Sequence, residues 1–238
     1  MTTLLAALGI VLLGAVAQAV SGFGFALLTV PLLTAVTDPR TAVVTASLTS
    51  LTLTVTTTAR ERAHVRWRTA GLLTATAVLG MPAGLLVLRV APDRLLAGLI
   101  AAVVLGCAVL VWRGTRLRAG ARVVGAVGVL TGVLTTATGT NGPPLVAAFH
   151  SLGYDPRTFR ATLAAVFTGS GLIGVLGFLV TGQVTATTGW ITLAGLPAVV
   201  LGWWLGDRIF TWVDPATFRR IVLLGLVTSA TVALGSAV

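Results

Sequence analysis

The run from Val123 to Phe149 is apolar over more than membrane length, yet it cannot continue as one helix. Thr138-Gly139-Thr140-Asn141-Gly142-Pro143-Pro144 interrupts it. Glycine is a poor helix former, and each proline lacks an N–H and clashes with the preceding turn. A break inside hydrocarbon strands backbone N–H and C=O groups that lipid cannot satisfy, so it must face protein, water or a ligand. Ser21-Gly22-Phe23-Gly24-Phe25 holds the same place in the first half of the chain. The two breaks are expected to meet near the middle of the bilayer and form a substrate site.

Composition narrows the class. Of 238 residues, 56 % are hydrophobic and 9 % charged, where a soluble domain carries about 25 % charge. The chain therefore reads as an all-α integral membrane protein with little outside the bilayer. Met1 to Ala19 has no basic start, so a cleaved signal peptide is not expected. The basic residues are 16 Arg and no Lys, for a net charge of +10. In a membrane chain Arg marks cytoplasmic loops. No basic stretch is interleaved with stacking aromatics, so nucleic acid is not an expected partner. Cys107 stands alone, which excludes an intrachain disulfide and reads as a buried small hydrophobe.

The chain repeats its plan. Glycines 22 and 24 split the first apolar run into arms Thr2–Val20 and Phe25–Val36. Asp38-Pro39-Arg40 then starts a hydroxyl-rich helix from about Thr41 to Ala59, an N-cap aspartate with proline at the first helical position. A third helix over Ala70–Val90 contains Pro82, and a fourth runs from Pro92 to Trp112. Asp155-Pro156-Arg157-Thr158 repeats Asp38-Pro39-Arg40-Thr41 117 positions later, and Gly195-Leu196-Pro197-Ala198 echoes Gly80-Met81-Pro82-Ala83 115 positions later. Asp214-Pro215 opens the last helix as Ala91-Pro92 opens the fourth. Shared order and near-constant offset imply a duplication: a first repeat over 1–112, a basic cytoplasmic linker over 113–122 and a second repeat over 123–238.

Arginine placement predicts how the halves face. If each broken segment returns as a hairpin, the loops 60–68, 113–122, 153–160 and 205–220 share one side, and only Arg40, Arg89 and Arg94 lie opposite. If each segment crosses once, the arginines divide evenly and the expected inside bias disappears. The hairpin arrangement makes the two halves inverted repeats, each a broken, re-entrant-like hairpin plus three transmembrane helices. It puts the N-terminus outside and the Arg-rich loops in the cytoplasm of a multi-pass cell-membrane protein. Trp67, Trp112, Trp203, Trp204 and Trp212 then fall near cytoplasmic ends and Trp190 near an outer end, and Asp207-Arg208 reads as an interfacial ion pair.

The candidate binding residues are Ser21, Gly22, Phe23, Gly24, Phe25, Thr138, Gly139, Thr140, Asn141, Gly142 and Pro143. Helix arms ending near the midplane present free N–H groups with partial positive charge, which suit an anion. Asn141 adds an amide that donates and accepts, and it can equally cap the interrupted helix. Gly22 and Gly24 have a second reading as close helix packing. Most hydroxyls of Thr45, Ser47, Thr49, Ser50, Thr52, Thr54 and Thr56–Thr58 are expected to bond back to their own helix. Thr49 and Ser50, with Thr168 and Ser170 in the second half, are the hydroxyls expected to line a path.

No Asp, Glu, His or Arg falls in the middle of a predicted span. Intramembrane carboxylates mark proton relays and cation sites, and hydrolysis needs titratable groups or an activated nucleophile. Neither a metal transporter, a carboxylate proton pump nor an enzyme is expected. His64 and His150 are too separate to share a metal, so no metal or cofactor is expected.

The glycine break followed by Pro31, the basic loop after the second helix, the Gly-x-Pro-x segments 80–83 and 195–198, and Gly139-Thr140-Asn141-Gly142-Pro143 together resemble the sulfite exporter TauE/SafE family, also called the toluene sulfonate uptake permease family. The resemblance covers nearly the whole chain. It implies a membrane permease for small sulfur-containing anions such as sulfite, sulfoacetate and other organosulfonates, with alternating access around a midplane anion site. The expected partners are that anion and the lipid bilayer, with a coupling ion left unidentified and a homo-oligomer left open. Two rival functions stay open: a structural or assembly subunit of a membrane complex, and a permease for a neutral or cationic solute.

Overall fold

The computed structural model of the protein describes residues 2–113, 121–140, 142–149 and 154–210. Those residues form α-helices and one short 3-10 turn, with no strand among them. The helices are α1 (Thr2–Ser21), α2 (Phe25–Val36), α3 (Pro39–Arg60), α4 (Trp67–Val90), α5 (Asp93–Arg113), α6 (Ala121–Ala137), α7 (Gly142–Phe149), α8 (Pro156–Val180) and α9 (Ala186–Phe210). Six of them, α1, α3, α4, α5, α8 and α9, are long and apolar enough to cross a membrane. Trp212, Asp214-Pro215 and the last predicted helix lie outside the described residues, as do Asn141, His150 and most of the 113–122 linker.

The Asp-Pro starts behave as their chemistry requires. The Asp38 carboxylate accepts the Thr41 N–H at 2.9 Å, and Asp155 accepts those of Arg157 and Thr158 at 3.1 Å. Each covers N–H groups that a first helical turn leaves open. Burial works against the Asp38 carboxylate, but its Thr41 and other hydrogen bonds outweigh that and hold its pKa below the ordinary value. At Asp155 the hydrogen bonds to Thr158 act against little burial, and its pKa is lowered as well. Pro31, Pro82 and Pro197 sit inside α2, α4 and α9, which continue through them.

The first broken segment folds back. A Cβ built on Gly14 of α1 would strike the Thr29 hydroxyl and the Phe25 ring of α2. Gln18 reaches Phe25 at the turn, while Ile10 and Leu33 share a cluster nearer the other end. That register makes α1 and α2 an antiparallel hairpin. α2 has 12 residues and α7 has 8, which gives lengths of about 18 and 12 Å, short of the roughly 30 Å hydrocarbon core.

Helix contacts are reciprocal. The most extensive pairs are α4 with α6 and α1 with α9, and α3 lies against α8 between them. Glycine makes the close pairs possible, as small residues do in membrane helices. A Cβ on Gly80 would strike the Val129 carbonyl, and one on Gly132 the Ala77 carbonyl; Gly202 and Gly206 meet Ala15 and Ala19 in the same manner. Thr136 adds an interhelical bond to the Met81 carbonyl at 3.0 Å.

Contacts also sort the helix ends. Arg157 at the start of α8 donates to Glu61 just after α3 at 2.8 Å, and Gly171 lies against Leu51 further along, so α3 and α8 run antiparallel. Tyr154 and Thr69 join hydroxyls at 3.0 Å, and the Arg60 guanidinium stacks 4.3 Å from the Trp203 ring. The loops 60–68 and 154–160 and the last turns of α9 therefore occupy one end of the molecule. At another end Arg40 pairs with Asp93 and donates to the Leu88 carbonyl at 3.0 Å and the Ala91 carbonyl at 2.5 Å. Arg208 lies over the Trp204 ring at 3.8 Å, and among the described residues it makes no ion pair with Asp207. The expected Asp207–Arg208 pair is thus corrected, since consecutive helical side chains point to different faces.

Candidate functional site

The two breaks touch. A Cβ built on Gly142 would lie 3.0 Å from the Phe23 Cβ and 3.1 Å from the Phe23 carbonyl oxygen, so only glycine lets these segments approach so closely. Each break turns on a glycine in the left-handed region, Gly22 with φ 82° and Gly139 with φ 66°. L side chains avoid that region. Gly22 rests on Arg160 of α8, and Gly139 rests on Val43 of α3 and Val30 of α2. Arg160 and Val43 are 117 positions apart, as are Gly22 and Gly139.

The amides of the first break are not bare, contrary to expectation. The Gly22 N–H donates to the Gln18 carbonyl at 2.7 Å. Ser21 Oγ accepts the N–H groups of Phe23 at 3.2 Å and Gly24 at 2.8 Å while donating to the Ala17 carbonyl at 2.7 Å. Gln18 Oε1 accepts the Phe25 N–H at 3.0 Å, and its Nε2 donates to the Gly22 carbonyl at 3.0 Å. Two side chains of α1 thus satisfy the backbone that hydrocarbon cannot. At the second break Thr138 N–H and Oγ1 both donate to the Leu134 carbonyl, at 3.0 and 3.1 Å, and the Thr138 and Thr140 hydroxyls join at 2.8 Å. The Gly139 and Thr140 N–H groups have no partner among the described residues.

A cavity of about 40 Å³ lies between the breaks. By that measure it has room for a few waters or one small oxyanion. Its walls are Gln18, Phe23 and Ala26, then Ser47, Ser50 and Leu51 of α3, Thr135 and Gly139, and Phe167 and Gly171 of α8. Of the residues expected from the sequence, Phe23, Ser50 and Gly139 line it. Thr49 turns its hydroxyl to the Thr45 carbonyl at 2.7 Å, Ser170 to the Val166 carbonyl at 2.7 Å, and Thr168 joins Thr58 at 3.0 Å. Thr49 and Ser170 bond back to their own helices and Thr168 pairs across to α3, and none of the three lines the cavity. Asn141 lies outside the described residues; Pro143 stands in the first turn of α7, where its missing N–H costs nothing.

Gln18 and Thr135 were not anticipated; they stand 117 positions apart, the same separation as Gly22 and Gly139. Carrying the duplication offset back into the first helix would have found both. Ser47, Ser50 and Leu51 fall on one helical face at i, i+3 and i+4, a second available signal. Among the described residues no group of His, Cys, Asp or Glu is arranged to hold a metal.

Comparison with known proteins decides the class. The family model described as sulfite exporter TauE/SafE matches residues 6–233. The chain belongs to the sulfite exporter TauE/SafE family. TauE/SafE proteins are transporters rather than enzymes. A curated relative from Cupriavidus necator, described as a probable sulfite/organosulfonate exporter TauE, is 33 % identical over 102 residues, which is 42 % of this chain and 40 % of that protein. The aligned stretch therefore spans about two fifths of the relative's length. No solved structure matches the chain. Six spanning helices and membership of the TauE/SafE family make this a multi-pass membrane protein.

Proposed function

We propose that this TauE/SafE protein is a permease for small sulfur-containing anions that bind in the cavity between the two breaks. The observation that carries the reading is the cavity itself: two non-helical elbows in contact, walled by hydroxyls, a carboxamide and backbone, at the size of a small oxyanion. The Gly139 N–H, the Ser50 hydroxyl and the remaining Nε2 hydrogen of Gln18 supply donors, while the Ser47 and Thr135 hydroxyls, already donating to the Val43 and Thr131 carbonyls at 2.7 Å, line the wall without a free proton. Phe23, Ala26, Leu51 and Phe167 supply an apolar wall for sulfur or a short organic tail.

Alternating access would come from two inverted repeats rocking about α3 and α8. Reciprocal helix contacts, the antiparallel α3–α8 pair and the matched Gly22–Arg160 and Gly139–Val43 seats support that symmetry. The shared end of loops 60–68 and 154–160 supports the hairpin arrangement, with that Arg-rich end cytoplasmic and the N-terminus outside. The relative's name specifies export, and a basic cytoplasmic mouth that concentrates anions fits that direction.

The test is uptake by the purified chain in liposomes, with sulfite, sulfoacetate and neutral analogues in competition. Saturable sulfite or sulfonate flux, reduced in Ser50→Ala, is expected. Absence of flux from a correctly folded protein would point to an assembly subunit, and preference for the neutral analogues to a different solute.

A further inference from the structure

We infer that the cavity selects its ligand by charge state, taking singly charged sulfur anions (hydrogensulfite and short organosulfonates) over doubly charged sulfite and sulfate. The inference rests on the cavity being the anion site. None of the described residues lining it is charged: the polar groups are Gln18, Ser47, Ser50 and Thr135, and the rest are apolar or glycine. Along the packed elements the charged residues stand several positions away from the lining ones. α1 and α2 carry no charged or histidine side chain. On α3 the nearest are Arg40, seven residues before Ser47, and Arg60, ten after Ser50. On α8 Arg160 precedes Phe167 by seven residues, and on α6 the only one is Arg122, thirteen residues before Thr135. Seven residues of helix are about 10 Å of rise. The Arg160 stem lies on Gly22, which is not part of the cavity wall, and its counterpart in the other half is the buried Val43.

Neutral walls treat the two charge states differently. The cost of taking an ion out of water grows with the square of its charge, so it is about four times larger for a dianion than for a monoanion of the same size. Hydroxyl and amide dipoles, and the field of any charge outside the wall such as Arg160, return energy only in proportion to charge. A site that lacks a lining cation can balance one negative charge and falls short with two. The apolar wall of Phe23, Ala26, Leu51 and Phe167 adds to the penalty for a fully hydrated dianion.

The experiment uses the full chain in proteoliposomes and three probes. Methanesulfonate is singly charged throughout the range around neutrality, sulfate is doubly charged throughout it, and sulfite changes from one to the other near neutral pH. Methanesulfonate should compete with constant potency across the series, which also shows that the protein itself does not titrate. Sulfite potency should fall by about tenfold per pH unit on the alkaline side. Sulfate should be weaker than methanesulfonate by about tenfold or more, the effect of a difference of about 1.4 kcal/mol. Placing a cation in the wall with Ser50→Lys should raise sulfate relative to methanesulfonate. Sulfate equal to methanesulfonate, or sulfite potency that holds or rises with pH, overturns the charge-state selection while leaving a sulfur-anion permease standing. Failure of all three anions to bind or move overturns both readings.

Discussion

The two breaks have the same backbone and different chemistry. Gly22 and Gly139 turn the chain with the same sign of φ and sit on equivalent positions of α8 and α3. Around Gly22, Ser21 and Gln18 take up the exposed amides. Around Gly139, threonine hydroxyls bond to one another and the Gly139 and Thr140 amides stay unclaimed among the described residues. Equivalent geometry therefore does not mean equivalent function. The first break is braced by side chains of α1, and at the second the Gly139 and Thr140 amides find no partner among the described residues.

Gln18→Ala tests this difference most severely. It removes the partners of the Phe25 N–H and the Gly22 carbonyl, and each buried group left unpaired costs about 1–3 kcal/mol. A clear drop in thermal stability in detergent is expected, together with loss of transport. If Gln18→Ala is as stable as the parent, the first break is not braced and the contrast fails.

Alanine at the two turning glycines sharpens it. Each forces an L residue into the left-handed region, at about 1–2 kcal/mol. The new methyl of Gly139→Ala would lie 3.1 Å from Val30 beside the buried Val43, whereas that of Gly22→Ala would lie 3.2 Å from the flexible stem of Arg160. Denaturation curves should therefore rank Gly139→Ala as the more damaging, and the reverse order would contradict the packing. Thr135→Val is the counterpart of the Gln18 change. Its hydroxyl bonds the Thr131 carbonyl of its own helix at 2.7 Å, so stability should fall by less than about 1 kcal/mol. Sulfonate affinity should change little as well, because the Thr135 hydroxyl proton is already committed to its own helix.

The smallest effect concerns the helix starts. Hydrogen bonds from Thr158 and the Arg157 amide hold Asp155 below the ordinary aspartate value of 3.8. A depressed carboxylate contributes stability that is present above its unfolded pKa and lost as pH falls through its folded one. Melting temperature should therefore be insensitive to this group near neutrality and decline only below the ordinary carboxylate range, and Asp155→Asn should flatten that acid limb. A decline centred nearer neutrality would exclude Asp155 as its source.

Much of the site was legible from residues. Gly22, Gly139 and Gly142 announced non-helical turns in apolar runs, and Asp38-Pro39 and Asp155-Pro156 announced helix starts, because both signals are local and depend on backbone conformation. Ser50 was anticipated and Ser47 was not, since a hydroxyl's direction depends on which helix face meets a neighbour. Thr49, Thr168 and Ser170 failed for that reason: each found a partner before it could face the cavity. Gln18 was overlooked because a single carboxamide in an apolar helix has no meaning until the chain folds back and brings Phe25 beside it.

By itself the sequence determined a helical membrane protein, its breaks, its helix caps and its doubled order, because lipid leaves backbone groups few ways to be satisfied and glycine, proline and aspartate declare those ways locally. Only the tertiary structure decided that Gly142 meets Phe23, that Ser21 and Gln18 close one set of amides, and which described residues wall the cavity. Those outcomes depend on which helix faces meet across long separations, and no local preference of the chain encodes them.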